Sequence, residues 1–367
     1  MEQNTLKRRG TGLIGIDAAL ASPGYTLYAP LAGRGLVELV DLAGEVVHRW
    51  HLPYRPGRHA RLLADGSLAY NGATLAQPAL FAMWRKYSGG SMGRYDKDAT
   101  LLSEHRDDFQ HHDAHHYDDG RILYTGVEPL TGAAAARIEG GVPGTEADGI
   151  VWSDVIREVA PDGSLLWEWR AAEQLDPKDF ALQPHYWREH WPLINSVHPL
   201  DDDTLVASLR SVSAVIAIDR RTGAVSTLAD RATVAQQHHA TPVGDGNILL
   251  FDNGTFRTGE SVTYSRVIEI DRATGEVAWS YQDSPREAFF TPFMGGAQRL
   301  PNGNTLITEA AFGRIFEVTP AHQICWEYVV PSFTAYPDPD TAQVFPGISN
   351  AIFRAYRYQD IPWLPAR

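Results

Sequence analysis

The chain has 367 residues, a formal net charge of −13 and a single cysteine, Cys325. With 44% hydrophobic and 21% charged residues it can bury a large core, which argues against bulk disorder. The lone cysteine excludes an intramolecular disulfide. The negative net charge argues against nucleic acid and anionic lipid as partners. No apolar run approaches the ~18 residues that a membrane span needs.

Residues 1–23 are a predicted N-terminal extension that starts with the polar and basic stretch MEQNTLKRRGTG. This stretch has no apolar core of signal-peptide length behind it, so we expect a cytoplasmic protein. A short strand at 24–30, GYTLYAP, precedes the first complete hairpin at 36–50, LVELVDLAGEVVHRW. This hairpin alternates apolar and polar residues, turns at a glycine and ends in an aromatic residue, which is typical of a half-buried β-hairpin.

A second type of hairpin, smaller and more apolar, begins at 59–72 with HARLLADGSLAYNG, and the two types then alternate along the chain. The first type, which we call outer, returns at 93–105, 155–169, 215–228, 267–281 and 314–328. The second type, which we call inner, returns at 112–126, 195–210, 238–254 and 296–310, and a sixth copy can be assembled from 349–358 beside 24–30.

Six inner and six outer hairpins predict six four-stranded blades, and hence an all-β, six-bladed β-propeller that forms a single domain over 1–367. Pairing of the N- and C-terminal strands would close the ring and leave no free sheet edge. A β-sandwich is the alternative, but it gives no reason for one hairpin pair to recur. The tryptophans that end outer hairpins are expected to pack between blades: Trp50, Trp167, Trp169, Trp279 and Trp326.

Long insertions occupy 73–90, 127–152 and 170–194, and a shorter one occupies 282–294. Each falls in a connection from an inner to an outer hairpin or from one blade to the next. Because strands in a blade alternate in direction, these connections are predicted to share one face, the top. Insertions that gather on one face of a repeat array usually mark its binding face.

Residues that begin the inner strands, or end their partners, are predicted to converge at the top of the central channel. The candidates are Arg58, His59, His112, Asp113, Asn195, Arg210, His238, His239 and Asn253. A propeller channel can be lined by small residues, so several imidazoles in equivalent positions predict a small-molecule active site. Arg210 is suited to hold an anion through two hydrogen bonds, and Arg354 lies in the closing strand FRAYRY.

The stretches INSVHPLDDDTLVASLR, QQHHATPVGDGNILLFDNG, GGAQRLPNGNTLITEA and FRAYRY resemble the bacterial arylsulfate sulfotransferase family of six-bladed propellers. The resemblance implies transfer of a sulfuryl group between phenols, within aromatic compound metabolism, and without a cofactor. It implies that His238 is the nucleophile and forms a sulfohistidine, that Asn195 and Arg210 hold the sulfuryl oxygens, and that His112 protonates the departing phenolate. We expect the remaining candidates to bind the aromatic substrate: Arg58, His59, His239, Asn253 and Arg354.

The chain departs from the family pattern at Leu193, where relatives place another catalytic histidine two residues before the asparagine. His185 or His190 in the same insertion could supply an imidazole instead. A lyase or hydrolase is the alternative function, with His59, His112 and His238 or His239 as acid and base or as ligands of a divalent metal. No short-range metal motif is present, so neither a metal site nor a cofactor is predicted. A scaffold that binds a protein on its top face is the third hypothesis.

Overall fold

The computed structural model describes residues 10–75, 78–244 and 246–365. Residues 1–9 of the predicted extension, 76 and 77 of the first insertion, 245 in the turn of the 238–254 hairpin, and 366–367 lie outside the described residues. In the described ranges, no helix has both the length and the apolarity that crossing a lipid bilayer requires.

The described residues are almost entirely strands and turns. In chain order the first ten strands are β1 (Gly12–Ile16), β2 (Tyr25–Pro30), β3 (Leu36–Val40), β4 (Val46–His51), β5 (Arg55–Leu62), β6 (Leu68–Ala73), β7 (Gly90–Tyr95), β8 (Leu101–Arg106), β9 (Gln110–His116) and β10 (Ile122–Leu130). The next nine are β11 (Gly140–Val142), β12 (Val151–Val159), β13 (Leu165–Arg170), β14 (Leu182–Trp187), β15 (His190–Trp191), β16 (Ile194–Pro199), β17 (Thr204–Leu209), β18 (Ala214–Asp219) and β19 (Val225–Ala229). The last nine are β20 (His238–Val243), β21 (Asn247–Asp252), β22 (Arg266–Ile270), β23 (Val277–Tyr281), β24 (Gly296–Arg299), β25 (Thr305–Glu309), β26 (Arg314–Val318), β27 (Ile324–Val329) and β28 (Ile352–Tyr358).

Short helices occur only in connections of the described chain. Three are α-helices, α1 (Gly132–Ala136), α2 (Ala171–Gln174) and α3 (Pro339–Val344). Four are single 3₁₀ turns at Trp84–Lys86, Ala147–Gly149, Arg286–Ala288 and Ala310–Phe312.

Six antiparallel sheets form the blades, so the predicted six-bladed propeller is confirmed. Blade 1 is β28-β2-β3-β4, blade 2 is β5-β6-β7-β8, and blade 3 is β9-β10-β12-β13. Blade 4 is β16-β17-β18-β19, blade 5 is β20-β21-β22-β23, and blade 6 is β24-β25-β26-β27. The C-terminal strand β28 pairs with β2 near the N-terminus, so blade 1 is the predicted ring closure. The innermost strands β28, β5, β9, β16, β20 and β24 surround the central channel.

Three features of the fold have no counterpart in the repeat pattern of the sequence. Part of the N-terminal extension forms β1, which pairs with β27 as a fifth strand of blade 6. Strand β15 pairs in parallel with β12 beside blade 3. Strands β11 and β14, from two different insertions, make a separate two-stranded sheet. All three lie outside the hairpins, where no alternation of apolar and polar residues announces a strand.

The hydrophobic core is divided among the interfaces between successive blades. One cluster of buried residues, for example, joins Trp50 of blade 1 to Tyr70 of blade 2, and similar clusters occupy the other five interfaces. The Trp50 indole also donates to the Asp96 carbonyl of blade 2 at 3.0 Å, and Trp326 of blade 6 donates to the Leu42 carbonyl of blade 1 at 2.9 Å. These tryptophans therefore fasten one blade to the outer turn of the next.

Five of the six inner hairpins lose regular register near the start of the innermost strand. The residues at these irregularities are 57–59 in blade 2, 112–113 in blade 3, Asn195 in blade 4, 239–240 in blade 5 and 353–354 in blade 1. A β-bulge re-aims side chains and bends the strand. Most of the candidate residues of the sequence lie on these bulges.

Candidate active site

A cavity of about 100 Å³ lies at the start of the innermost strands, and we call it the histidine cavity. Its walls from the inner hairpins are Arg58, His112, Arg210 and His238. The connections between hairpins and blades supply the rest of the lining, Met83, Lys86, Tyr87, Leu193, Phe293, Met294 and Phe345. The structure thus brings three predicted catalytic residues and one predicted binding residue to one cavity.

A second cavity of about 330 Å³ adjoins the first, and we call it the aromatic cavity. The two share the side chains of Met83, Tyr87, Leu193 and Arg210. The other walls of the aromatic cavity are His185, Tyr186, Trp187, Glu189, His190, Gln236 and Phe256. His185 and His190 were the sequence's two candidates to replace the family histidine that is absent at Leu193. Both therefore line the aromatic cavity.

The hydrogen bonds around His238 define which of its ring nitrogens carries the proton. The Asn253 amide donates to the carbonyls of Thr291 at 2.9 Å and Met294 at 2.8 Å, so its Oδ1 must face the other way. That oxygen lies 2.7 Å from His238 Nδ1, which is therefore the protonated nitrogen. Nε2 keeps its lone pair and accepts the Met294 N–H at 3.2 Å. Burial, and then the charge of Arg210, hold the pKa of His238 well below its ordinary value.

His112 is presented to the cavity by the bulge in β9. Its φ of 46° lies in the left-handed region, which residues other than glycine rarely adopt. The ring stacks on Tyr87 with 4.4 Å between centroids, and its Nδ1 lies 2.8 Å from Nδ1 of His111. Nε2 is the nitrogen that remains for a ligand. Burial is the main reason why the pKa of His112 lies well below its ordinary value.

Two guanidinium groups line the histidine cavity without a carboxylate partner among the described residues. Arg58 is only 5% exposed and lies over the Phe353 ring, 5.4 Å from its centroid. Burial lowers the pKa of Arg58 to about 9, so the group is still charged at neutral pH. Arg210 donates to the Tyr186 hydroxyl, and the Nε atoms of both arginines have no hydrogen-bond partner. A buried cation without a counter-ion is costly, so this cavity is built for an anion.

A second group of predicted residues is centred on Asp113 and does not line the cavity. The Asp113 carboxylate accepts from Arg354 at 2.9 Å and from the Val197 backbone N–H at 3.0 Å, and His59 Nε2 lies 3.5 Å from it. Arg354 also donates to the Asn195 carbonyl at 3.0 Å. These contacts join blades 1, 2, 3 and 4 across the channel.

Asn195 and His239 likewise make contacts within the protein. The Asn195 side-chain amide donates to the Gln237 carbonyl at 2.8 Å, next to His238 in the chain, while its Oδ1 has no partner. His239 Nδ1 accepts the Ala297 N–H at 3.2 Å. Of the nine predicted site residues, the cavity wall therefore contains His112, Arg210, His238 and Arg58. The other five lie behind it: Asn195, His59, His239, Asn253 and Arg354.

Sequence analysis did not identify several residues of the cavity wall, above all Lys86, Tyr87 and Met294. They belong to connections that carry no repeat, so their positions follow from the folded insertions alone. One signal appears only in the backbone: Leu193, Met294, Gln236 and His239 have φ between 53° and 63°, as unusual as the value at His112. Strained conformations that gather at one place are typical of functional sites.

Most of the chain matches a known protein family. The sequence model described as arylsulfotransferase (ASST) matches residues 93–330. The chain belongs to the arylsulfotransferase family. The match includes His112, Asn195, Arg210 and His238, and it confirms the resemblance inferred from the sequence. Family membership indicates a transferase with small aryl compounds as substrates.

Solved structures resemble this arylsulfotransferase-family chain in fold. A protein of unknown function from Bacteroides caccae superposes with a TM-score of 0.53 at 12% identity, over 92% of this chain and 100% of that one. A catalytically inactive variant of virginiamycin B lyase from Staphylococcus aureus, with quinupristin, gives a TM-score of 0.48 at 14% identity, over 89% of this chain and 87% of that one. Among curated proteins, no relative matches the chain.

Proposed function

We propose that this chain is an arylsulfate sulfotransferase that moves a sulfuryl group between phenols through a sulfohistidine at His238. One observation carries the proposal: a neutral imidazole, whose Nε2 lone pair is occupied only by the Met294 N–H, lines a cavity that also contains two arginines without counter-ions among the described residues. An aryl sulfate is an anion whose sulfur accepts a nucleophile. Membership of the family supports this reaction class, and these contacts suggest roles for the residues.

In the first step, His238 Nε2 attacks the sulfur of the donor. The N–S bond forms as the S–O bond to the aryl group breaks, and the departing oxygen keeps the bonding electron pair. His112, the second imidazole of the cavity wall, donates a hydrogen bond from its Nε2–H to this oxygen, which leaves as a phenolate and takes its proton from solvent. The ring of His238 becomes positively charged, and Asn253 Oδ1, 2.7 Å from Nδ1, stabilises that charge.

In the second step, an acceptor phenol loses its proton to solvent, and its oxygen attacks the sulfur while it accepts a hydrogen bond from the His112 Nε2–H. The S–N bond breaks and its electron pair returns to His238 Nε2, so the enzyme is regenerated. Arg58 and Arg210 bind the sulfuryl oxygens in both steps. The Met294 N–H, which bonds Nε2 in the free enzyme, becomes available for a sulfuryl oxygen once Nε2 has reacted. Asn195 acts indirectly, by holding the strand that carries His238.

The sizes of the two cavities suggest how the substrate is divided between them. Pockets for small organic ligands usually occupy roughly 300–1,000 Å³. The histidine cavity, at about 100 Å³, suits the sulfuryl group alone, whereas the aromatic cavity, at about 330 Å³, suits a phenyl ring. Tyr186, Trp187 and Phe256 offer that ring aromatic faces and edges. Donor and acceptor would use this aromatic cavity in turn.

Mass spectrometry tests the covalent step directly. After brief incubation with 4-nitrophenyl sulfate and no acceptor, we expect the mass of a sulfuryl group on the peptide that contains His238. The His239→Ala variant serves as the matched control, since this neighbouring imidazole does not line the cavity, and it should still form the adduct. Release of nitrophenol without any adduct would contradict the proposed mechanism and favour the lyase or hydrolase alternative.

Replacement of Leu193 by histidine should preserve both fold and activity. Leu193 has a φ of 63° and lies in the wall shared by both cavities. Histidine tolerates left-handed backbone better than leucine does, and relatives carry it here, so the melting temperature should stay within a few degrees. We expect transfer from phenyl sulfate to stay within about tenfold of wild type or to rise. A fall of several orders of magnitude would show that an apolar wall at Leu193 is essential to the native reaction.

A further inference from the structure

Behind the histidine cavity, side chains from three separate segments meet in the interior. They are His111 on β9, Asp154 on β12 and His190 on β15, and none is more than 2% exposed. The Nε2 atoms of His111 and His190 lie 2.8 Å and 3.0 Å from the same Asp154 oxygen, Oδ1. The donor atoms of all three residues lie within 4.8 Å of one another.

The remaining polar atom of each of the three side chains is fixed by a neighbour. His111 Nδ1 lies 2.8 Å from His112 Nδ1, His190 Nδ1 lies 3.1 Å from the Tyr87 hydroxyl, and Asp154 Oδ2 accepts the Ile194 N–H at 2.9 Å. The atoms that converge are therefore the two Nε2 atoms and Asp154 Oδ1, of which His190 Nε2 and Oδ1 form a hydrogen bond of 3.0 Å. Metal-binding histidines and carboxylates are oriented in this way by partners on their outer atoms.

Two further observations point to a cation among these three atoms. His111 Nε2 is buried, and its 2.8 Å contact with Asp154 Oδ1 departs from regular hydrogen-bonding geometry. The Asp154 carboxylate is wholly buried, and among the described residues its ion-pair partners are these two histidines alone. Asp113, by contrast, has Arg354 as its counter-ion. Buried carboxylates generally pair with a cation or bind a metal.

We propose that His111, Asp154 and His190 bind a divalent transition-metal ion of the zinc class. Two imidazole nitrogens and one carboxylate oxygen are a ligand set that suits Zn²⁺, with room in the coordination sphere for a further ligand. The three ligands belong to blade 3 and its insertion and are spread over residues 111–190 of the sequence, which explains why no short motif predicts them. The inference does not depend on the proposed sulfuryl transfer.

The site would also bear on His112. A metal bound to His111 through Nε2 leaves the ring proton on Nδ1, which then donates to His112 Nδ1. The proton of a neutral His112 consequently resides on Nε2, the nitrogen available to the cavity. The metal site would therefore orient His112 as a hydrogen-bond donor to the departing oxygen, the role that the first step of the transfer requires.

Metal binding can be measured on the full chain without any activity assay. Protein treated with EDTA and dialysed is titrated with Zn²⁺ by calorimetry, and its metal content is determined after gel filtration. We expect one Zn²⁺ per wild-type chain, loss of that binding in His190→Asn, and unchanged binding in His322→Asn, an exposed histidine of an outer turn. Circular dichroism establishes that each variant is folded. Equal binding in folded His190→Asn would overturn the proposal.

Cobalt provides a second readout that needs no variant. Co²⁺ bound by two imidazoles and a carboxylate in wild-type protein should give visible absorption bands at one equivalent, and Zn²⁺ should remove them. Absence of these bands at saturating Co²⁺, together with no retained Zn²⁺, would refute the site. Zinc binding without a sulfuryl adduct on His238 would support this inference while defeating the proposed transfer, and an adduct on metal-free protein that binds no zinc would do the reverse.

Discussion

The His238→Ala variant is expected to lose turnover of an aryl sulfate by about 10³-fold or more, because a covalent nucleophile has no substitute. The fold should persist. Its ring makes two hydrogen bonds, and after its removal Asn253 still donates to the carbonyls of Thr291 and Met294. Release of nitrophenol measures the activity, and far-UV circular dichroism measures the fold.

His239→Ala is again the control for this experiment. Both imidazoles are buried and burial lowers the pKa of each, but only His238 lines the histidine cavity. Removal of His239 should therefore reduce turnover far less than removal of His238. Undiminished turnover in His238→Ala would rule out the covalent mechanism and would favour acid–base chemistry at His112.

The propeller could be predicted from the sequence because its signals are local. Each hairpin can be recognised by alternating apolar and polar residues and by a turn that contains glycine. The ring closure between 24–30 and 349–358 follows from the number of hairpins. Strands β1, β11 and β15 could not be predicted in this way. They are short additions, and their partners are chosen by the folded blades rather than by their own residue pattern.

The site could be predicted only in part, because alternation fails at its most important positions. In a regular strand, His112 and Asp113 would point to opposite faces; the bulge in β9 breaks that alternation, so His112 reaches the cavity and Asp113 reaches Arg354. The same irregularity recurs at Asn195 and His239. Tyr87 and Lys86 were not predicted for a different reason. They lie in an insertion without a hydrophobic repeat, and such a segment does not indicate where its side chains point.

The group of residues centred on Asp113, behind the histidine cavity, is expected to stabilise the fold. Groups of three other blades surround the Asp113 carboxylate: Arg354 of blade 1 and the Val197 N–H of blade 4 donate to it, and His59 Nε2 of blade 2 lies 3.5 Å from it. The side chains of Asp113, Arg354 and His59 are all buried at the channel. The energetic cost of disturbing such a group is large, because the partner left behind is a buried and uncompensated charge.

Asp113→Asn is accordingly expected to lower the free energy of unfolding by about 3–5 kcal/mol. The substitution keeps the size of the side chain and an oxygen for the Val197 N–H, but it removes the charge and replaces the oxygen that accepts from Arg354 by an NH₂ group. Denaturant unfolding followed by fluorescence gives the measurement. Asp98→Ala is the control: Asp98 pairs with Lys97 at 2.6 Å, but their side chains are 68% and 49% exposed. Loss of that surface pair should cost no more than about 1 kcal/mol.

A double variant shows whether the unpaired arginine is the cause. If Asp113→Asn destabilises the protein because Arg354 remains charged in the interior, then adding Arg354→Met should recover part of the loss. Buried ion pairs can often be exchanged for apolar groups of similar volume with little net cost, whereas removal of one partner alone is severe. Denaturant unfolding of both single variants and the double variant completes the cycle. Strictly additive losses would mean that Arg354 and Asp113 are not coupled, and that Asp113 stabilises the channel through His59 and the Val197 N–H instead.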